Sequence, residues 1–207
     1  MKNKIYLLLM ILSFGLLSCE KDEPGGTATE NVAGEWFVAV DAVLSDGTII
    51  SSAELKEEGI WFAEKGIIRT YNTAANVSDK MYISDMAVFG GAAKGDASSI
   101  SNYLAFRVPI DINQSTGEFS TSNGDFVQNL EVNYKYDPKT WDESEKYANI
   151  KILNGKITKD GGKQNNGTVD DIIEFDLYID DKGYILFDDF DHYHVQGIRY
   201  SGLVENH

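Results

Sequence analysis

From Ala33 to Val43 the apolar side chains fall on one parity: Trp36, Val38, Val40 and Ala42 share a side, and Glu35 and Asp41 share the other. A repeat of two is the mark of a half-buried β-strand. One strand cannot bury an indole by itself, so the rest of the chain must supply strands that close over Trp36. Gly34, two positions earlier, marks a place where backbone passes close to something bulky.

The following segments supply those strands. Ser45-Asp46-Gly47 is a turn signal leading to a short strand at Thr48–Ile50, and Ser51-Ser52-Ala53-Glu54 has capping-box spacing, which predicts a helix from Ser52 to Glu58 closed by Gly59. Ile60-Trp61-Phe62 follows, then strands at Gly66–Tyr71 and Lys80–Ser84. Val88 to Ser99 has no period and reads as a loop. Leu104, Phe106, Val108 and Ile110 alternate with Ala105 and Arg107, and Pro109 belongs on an edge or end. Gly117–Thr121 and Phe126–Lys135 form the next pair, the latter with Leu130, Val132 and Tyr134 on one parity. Thr140-Trp141-Asp142-Glu143 predicts a second short helix as far as Tyr147. Ile150–Leu153 runs into Asn154-Gly155, a hairpin signal, and on to Lys156–Thr158. Ile173, Phe175, Leu177 and Ile179 alternate cleanly; Asp181-Lys182-Gly183 then turns into Tyr184–Phe187, and His192–Ser201 is the last strand. About eight to ten strands in hairpin order, with one or two short helices, predict an all-β, antiparallel up-and-down barrel, whose closure removes exposed edges.

The chain before the first strand has another character. Lys2 and Lys4 precede the uncharged run Ile5–Leu17, which suits a signal segment better than a bilayer span. Leu16-Leu17-Ser18-Cys19 looks like a bacterial lipobox, with Cys19 the only cysteine of the chain. Residues 1–18 are therefore expected to be a lipoprotein signal peptide, 19–31 a lipidated tether and 32–207 a single barrel domain. At about 0.8 kcal/mol per buried CH₂, several acyl chains on Cys19 anchor the protein without a span. Acylation also removes the one thiol from disulfide, nucleophilic or zinc chemistry. Glu20-Lys21-Asp22-Glu23, directly after that cysteine, resembles the export tag of surface lipoproteins in Bacteroides-type bacteria. The expected location is the outer membrane, facing either the cell exterior or the periplasm.

Charge narrows the partners. The chain carries 33 acidic and 18 basic residues, and loss of Lys2 and Lys4 leaves it more acidic still. Such a surface argues against nucleic acid and against electrostatic adhesion to anionic headgroups.

With the chain read, a family resemblance is visible. Pro24–Glu30, Ala33-Gly34-Glu35-Trp36, Thr70–Asn76, Asn154-Gly155-Lys156-Ile157 and Gly197-Ile198-Arg199-Tyr200-Ser201-Gly202 together resemble the Bacteroides lipoproteins labelled lipid-binding putative hydrolase. The resemblance implies a lipocalin-like (calycin) barrel and a lipid-binding role; it supplies no catalytic residues. Gly-x-Trp on an opening strand is also a lipocalin signature. In such barrels an arginine of the last strand covers the tryptophan, so Gly34, Trp36 and Arg199 are expected to form a structural floor held by a cation–π contact. Lipocalins place a helix after the barrel, whereas here little chain follows Arg199.

Catalytic signals are sparse. There is no Gly-x-Ser-x-Gly elbow, and the histidines are His192, His194 and His207. A serine–histidine–carboxylate triad would need His192 or His194 as base, with Asp188, Asp189 or Asp191 beside it. His192 and His194, two apart on a strand, could instead share a zinc with Asp189 or Asp191; two hydrogen-bonded surface histidines is the plainer account, and no metal or cofactor is expected. Asp111–Gly117 reads as a hairpin turn rather than a calcium loop. The leading expectation is a binding module that holds a lipid or other apolar molecule above the Trp36 floor, walled by Val38, Val40, Phe106, Val108, Val132, Phe175 and Leu177. In a small barrel the same residues also serve as plain core. The alternatives are a hydrolase acting on lipid or glycan, and a partner-binding surface protein with a solid barrel.

Overall fold

The structure, a computed structural model, describes residues 26–57, 66–85, 89–92, 100–131, 134–135, 149–180 and 190–201. Outside them lie the signal segment, Cys19, most of the tether, Ile60-Trp61-Phe62, Val132, the second helix at Thr140–Tyr147, the turn and strand at Asp181–Phe187, Asp188, Asp189 and His207.

In chain order the described elements are β1 (Gly34–Leu44), β2 (Ile49–Ile50), helix α1 (Ser52–Glu57), β3 (Gly66–Asn72), β4 (Lys80–Asp85), β5 (Phe89–Ala92), β6 (Ile100–Leu104), β7 (Arg107–Asn113), β8 (Glu118–Ser120), β9 (Val127–Gln128), β10 (Tyr134–Lys135), β11 (Asn149–Lys163), β12 (Val169–Ile179) and β13 (Phe190–Arg199). Eight of them close a barrel in the order β1, β3, β4, β7, β8, β11, β12, β13 and back to β1, every neighbour antiparallel. The closed antiparallel barrel predicted from the hairpin pattern is the one observed. Strand β2 lies beside the end of β1, β9 pairs with β11, and β5, β6 and β10 make a separate three-stranded sheet.

Parity builds the interior. On β1 Trp36, Val38, Val40 and Ala42 are all buried, and their neighbours across the ladders continue the apolar surface: Ile68, Met81, Ile83, Val108, Ile110, Ile152, Phe175 and Val195. Each such aliphatic or aromatic side chain removed from water contributes roughly 1.5–3 kcal/mol. Register sets Trp36 opposite Arg199 on one side and Ile68 on the other, and this end is called the floor. At the far end α1 inserts Leu55, 1% exposed, into the core. The capping box forms as spaced: the Ser51 N–H donates to Glu54 Oε2 (2.9 Å) and the Glu54 N–H to Ser51 Oγ (3.3 Å). Hydrogen bonds from the Ser51 hydroxyl and then the Ser51 N–H hold the Glu54 carboxyl below its ordinary pKa.

Three expectations are corrected. Asn154-Gly155 is not a hairpin turn: β11 runs through it, with a register shift between Leu153 and Lys156. Asn154 takes a left-handed conformation (φ 52°) and bonds Asp176, and a Cβ on Gly155 would meet the Phe119 ring at 2.4 Å, so the pair forms a bulge folded tightly onto β8. The reversal comes later, at Gln164–Thr168, where Gly167 takes φ +88°. Phe126–Lys135 is not one strand either. Asn129, 1% exposed, accepts from the Arg107 and Glu131 N–H groups and donates to the Ala105 carbonyl; this local satisfaction of backbone interrupts the ladder between β9 and β10. Within the stretch read as a loop, Phe89–Ala92 is strand β5, paired with β6; with two glycines it lacked the side chains that show a period.

Candidate functional site

The floor is built by residues from four strands and by the segment before β1. The Arg199 guanidinium lies 4.6 Å over the Trp36 ring. Its Nη1 donates to the Ala33 carbonyl (2.6 Å), and its Nη2 and Nε donate to Asp171 Oδ2 (2.8 and 3.2 Å). Trp36 Nε1 donates to Thr70 Oγ1 (2.9 Å), which in turn donates to the Val32 carbonyl. A Cβ on residue 34 would meet Arg199 Nη1 at 2.5 Å, so Gly34 is the close approach that its position before Trp36 suggested. All three residues expected at the floor are there. Asp171, Thr70 and Gln164, whose amide donates to the Arg199 carbonyl, were missed because nothing in the local sequence tells which strand position lands beside which. The one available signal was Thr70, which stands in a motif quoted for the family resemblance.

Above the floor, six of the seven residues expected to form the wall, Val38, Val40, Phe106, Val108, Phe175 and Leu177, are buried to 2% exposure or less, all within one cluster. Val132 lies outside the described residues. Two polar side chains enter this apolar space, Asp85 in the ladder row of Trp36 and Ile68, and Tyr193 toward the far end. Asp85 (3% exposed) follows Met81 and Ile83 on the inward parity of β4, and Tyr193 (3% exposed) stands opposite Ala42. Burial pushes the Tyr193 phenol well above its ordinary pKa, so it remains a neutral donor and acceptor. Asp85 could have been found by extending the inward parity of β4 by one step.

On the outer face, His194 Nδ1 donates to Asp176 Oδ1 (2.9 Å) and His192 Nδ1 to Asp191 Oδ2 (3.0 Å). His192 Nε2 stands 4.0 Å from the same Asp176 oxygen, its ring stacked on Tyr178 with centroids 4.7 Å apart. Lys151 Nζ lies over that tyrosine ring, 4.2 Å from its centroid. Burial, followed by the charges of Asp176 and Asp191, raises the Tyr178 phenol pKa. The hydrogen bonds of the two histidines thus end on carboxylates, with no serine hydroxyl in the arrangement, and among the described residues no three His, Cys, Asp or Glu side chains converge as a metal site. Asp189 lies outside the described residues.

A closed antiparallel barrel with an apolar interior, floored by tryptophan under arginine, defines a lipocalin-like β-barrel protein. Within that class, the chain belongs to the family described as lipid-binding putative hydrolase, whose family model matches residues 21–204. No curated protein matches the chain. Among the described residues no helix is long and apolar enough to cross a membrane.

Proposed function

We propose that the protein is an outer-membrane lipoprotein of a Bacteroides-type cell, acylated at Cys19, whose barrel holds one lipid or other small apolar molecule. The observation that carries the reading is the inward face. From Trp36 to Phe106 and Leu177 it is apolar surface within a closed barrel of a lipid-binding family, with Asp85 and Tyr193 among the polar groups set into it at different heights. That is the chemical makeup of a wall for an apolar chain; its apolar residues, 2% exposed or less, now fill the interior, so a ligand enters by displacing them. A hydrolytic role finds no comparable support: each histidine bonds a carboxylate through Nδ1, as a triad base would, but among the described residues neither Nε2 meets a serine hydroxyl.

The test is extraction of the purified protein, expressed without residues 1–19, followed by mass spectrometry of the extract. We expect about one apolar molecule per chain, as a single buried site requires, and its loss in Leu177→Trp, whose larger side chain leaves no room for a ligand to displace the wall. Protein that remains empty after incubation with lipid mixtures would overturn the reading and leave a solid barrel acting through its surface.

A further inference from the structure

The segment preceding β1 is fastened to the floor. The Ala28 N–H donates to Asn76 Oδ1 (2.8 Å) in the β3–β4 connection, and Gln114 Nε2, in the β7–β8 connection, donates to the Ala28 carbonyl (2.8 Å). Further along, Thr70 holds the Val32 carbonyl and Arg199 the Ala33 carbonyl. Val32 itself is 2% exposed and part of the core. The chain therefore leaves the barrel at the Trp36 end and is tied there from several sides.

Gly26 lies only seven positions after Cys19. Fully extended they reach about 25 Å. Strand β1 has 11 residues, and at the tilt usual in barrels it rises about 25–30 Å along the axis. An acyl group on Cys19 thus keeps the floor within about 25 Å of the bilayer, and the barrel's own surface decides which side settles on it.

The outer wall at this same end carries an apolar stripe bordered by Glu174 and Gln196. Phe37, Ile172 and Ile198 point outward from β1, β12 and β13 and line a groove of about 440 Å³ together with Lys163. Tyr200 stands edge-on to Phe37, ring centroids 4.7 Å apart. Val169, 57% exposed, begins β12 at the hairpin beside them. Aromatic side chains, branched aliphatics and a lysine that can extend its ammonium to water are the composition of a surface seated in a headgroup layer. On a chain with 33 acidic against 18 basic residues, charge does not draw the barrel onto anionic headgroups, so once the acyl chains hold it there an apolar wall is the surface that can settle on the lipid.

We propose that this floor-end surface is the membrane-contacting face of the anchored protein. The barrel stands floor-down and leans onto its β12–β13–β1 side, so that Phe37, Ile172, Ile198 and Tyr200, which point outward from that wall, meet the lipid surface while the α1 end is directed into the aqueous phase. The proposal rests on the acyl anchor of the preceding section. It implies that a ligand entering at the α1 end arrives from the aqueous side and not from the bilayer beneath.

The experiment uses the full-length protein, processed in its cell and placed in phosphatidylethanolamine–phosphatidylglycerol vesicles carrying a nitroxide on the lipid headgroup. Because the lipid occupies the only natural cysteine, an introduced cysteine is the sole free thiol for a fluorophore. Val169→Cys labels the floor end. Ile49→Cys, 62% exposed on β2 beside the far end of β1, labels the other. We expect the nitroxide to quench fluorescence at position 169 and leave position 49 bright, and Phe37→Ser with Ile198→Ser to reduce that contrast. Equal quenching at both positions, or stronger quenching at 49, would overturn the orientation. So would an unmodified mass for the Cys19 peptide, which removes the anchor. Bound lipid is measured separately, so an empty barrel standing floor-down and a loaded barrel lying on its side are distinct results.

Discussion

Strands β12 and β13 carry two basic–acidic pairs of the same design and opposite consequence. Arg199 bonds Asp171, and five residues before the one on β13 and five after the other on β12, His194 bonds Asp176. Five is an odd number, so strand parity sends the first pair to the inside of the barrel and the second to the outside. Side-chain exposures alone do not separate them sharply, at 23% for Arg199 and 36% for His194. Surroundings do. Arg199 also covers an indole and holds the Ala33 carbonyl, so its removal would open the floor and release the chain that crosses it. His194 rests on one carboxylate that Asn154 already bonds from its other oxygen. Position relative to the pleat, more than residue type, decides which pair is architecture.

The contrast can be broken most forcefully at the floor. Trp36→Ala removes the fully buried indole, its bond to Thr70 and the surface beneath Arg199, and is expected to lower unfolding free energy by about 3–5 kcal/mol, read from the urea midpoint at unchanged slope. A smaller effect separates inside from outside by pH. Burial raises the Tyr193 pKa in the folded chain, so above about pH 10 the unfolded chain loses that proton first and stability falls, by up to about 1.4 kcal/mol per pH unit. Tyr193→Phe should flatten most of this alkaline limb. A shallower slope should remain from the outward Tyr178, whose phenol is also raised. The smallest effect tests the outer pair: His192→Gln with His194→Gln should shift stability by no more than about 1 kcal/mol and leave both bound lipid and bound metal unchanged. A loss of bound lipid there would mean that the outer face takes part in binding.

Alternation was the legible part of this fold. Wherever side chains of contrasting polarity alternate, as in β1, β7 and β12, the strand and its inward face could be read directly. Reading failed where the backbone departs from simple pairing. Asn154-Gly155 has turn chemistry, yet tertiary contact with Phe119 uses its positive φ for a bulge. Asn129 ends a ladder from inside a stretch that looks like a strand. At the floor, the tryptophan and arginine were visible through a family resemblance, whereas Asp171 and Gln164 depend on register, which is settled by long-range pairing. The outer cluster was read as histidines with Asp189 or Asp191; its central carboxylate, Asp176, sits 18 positions away from His194 and becomes a neighbour only when β12 meets β13.

The seam between β1 and β13 joins the earliest barrel strand to the latest. A ribosome delivers Trp36 long before Arg199, so the growing polypeptide carries an uncapped indole and an open, sticky sheet for most of its synthesis. Closure by such distant partners is slow and leaves the nascent molecule open to aggregation until its final segment is delivered.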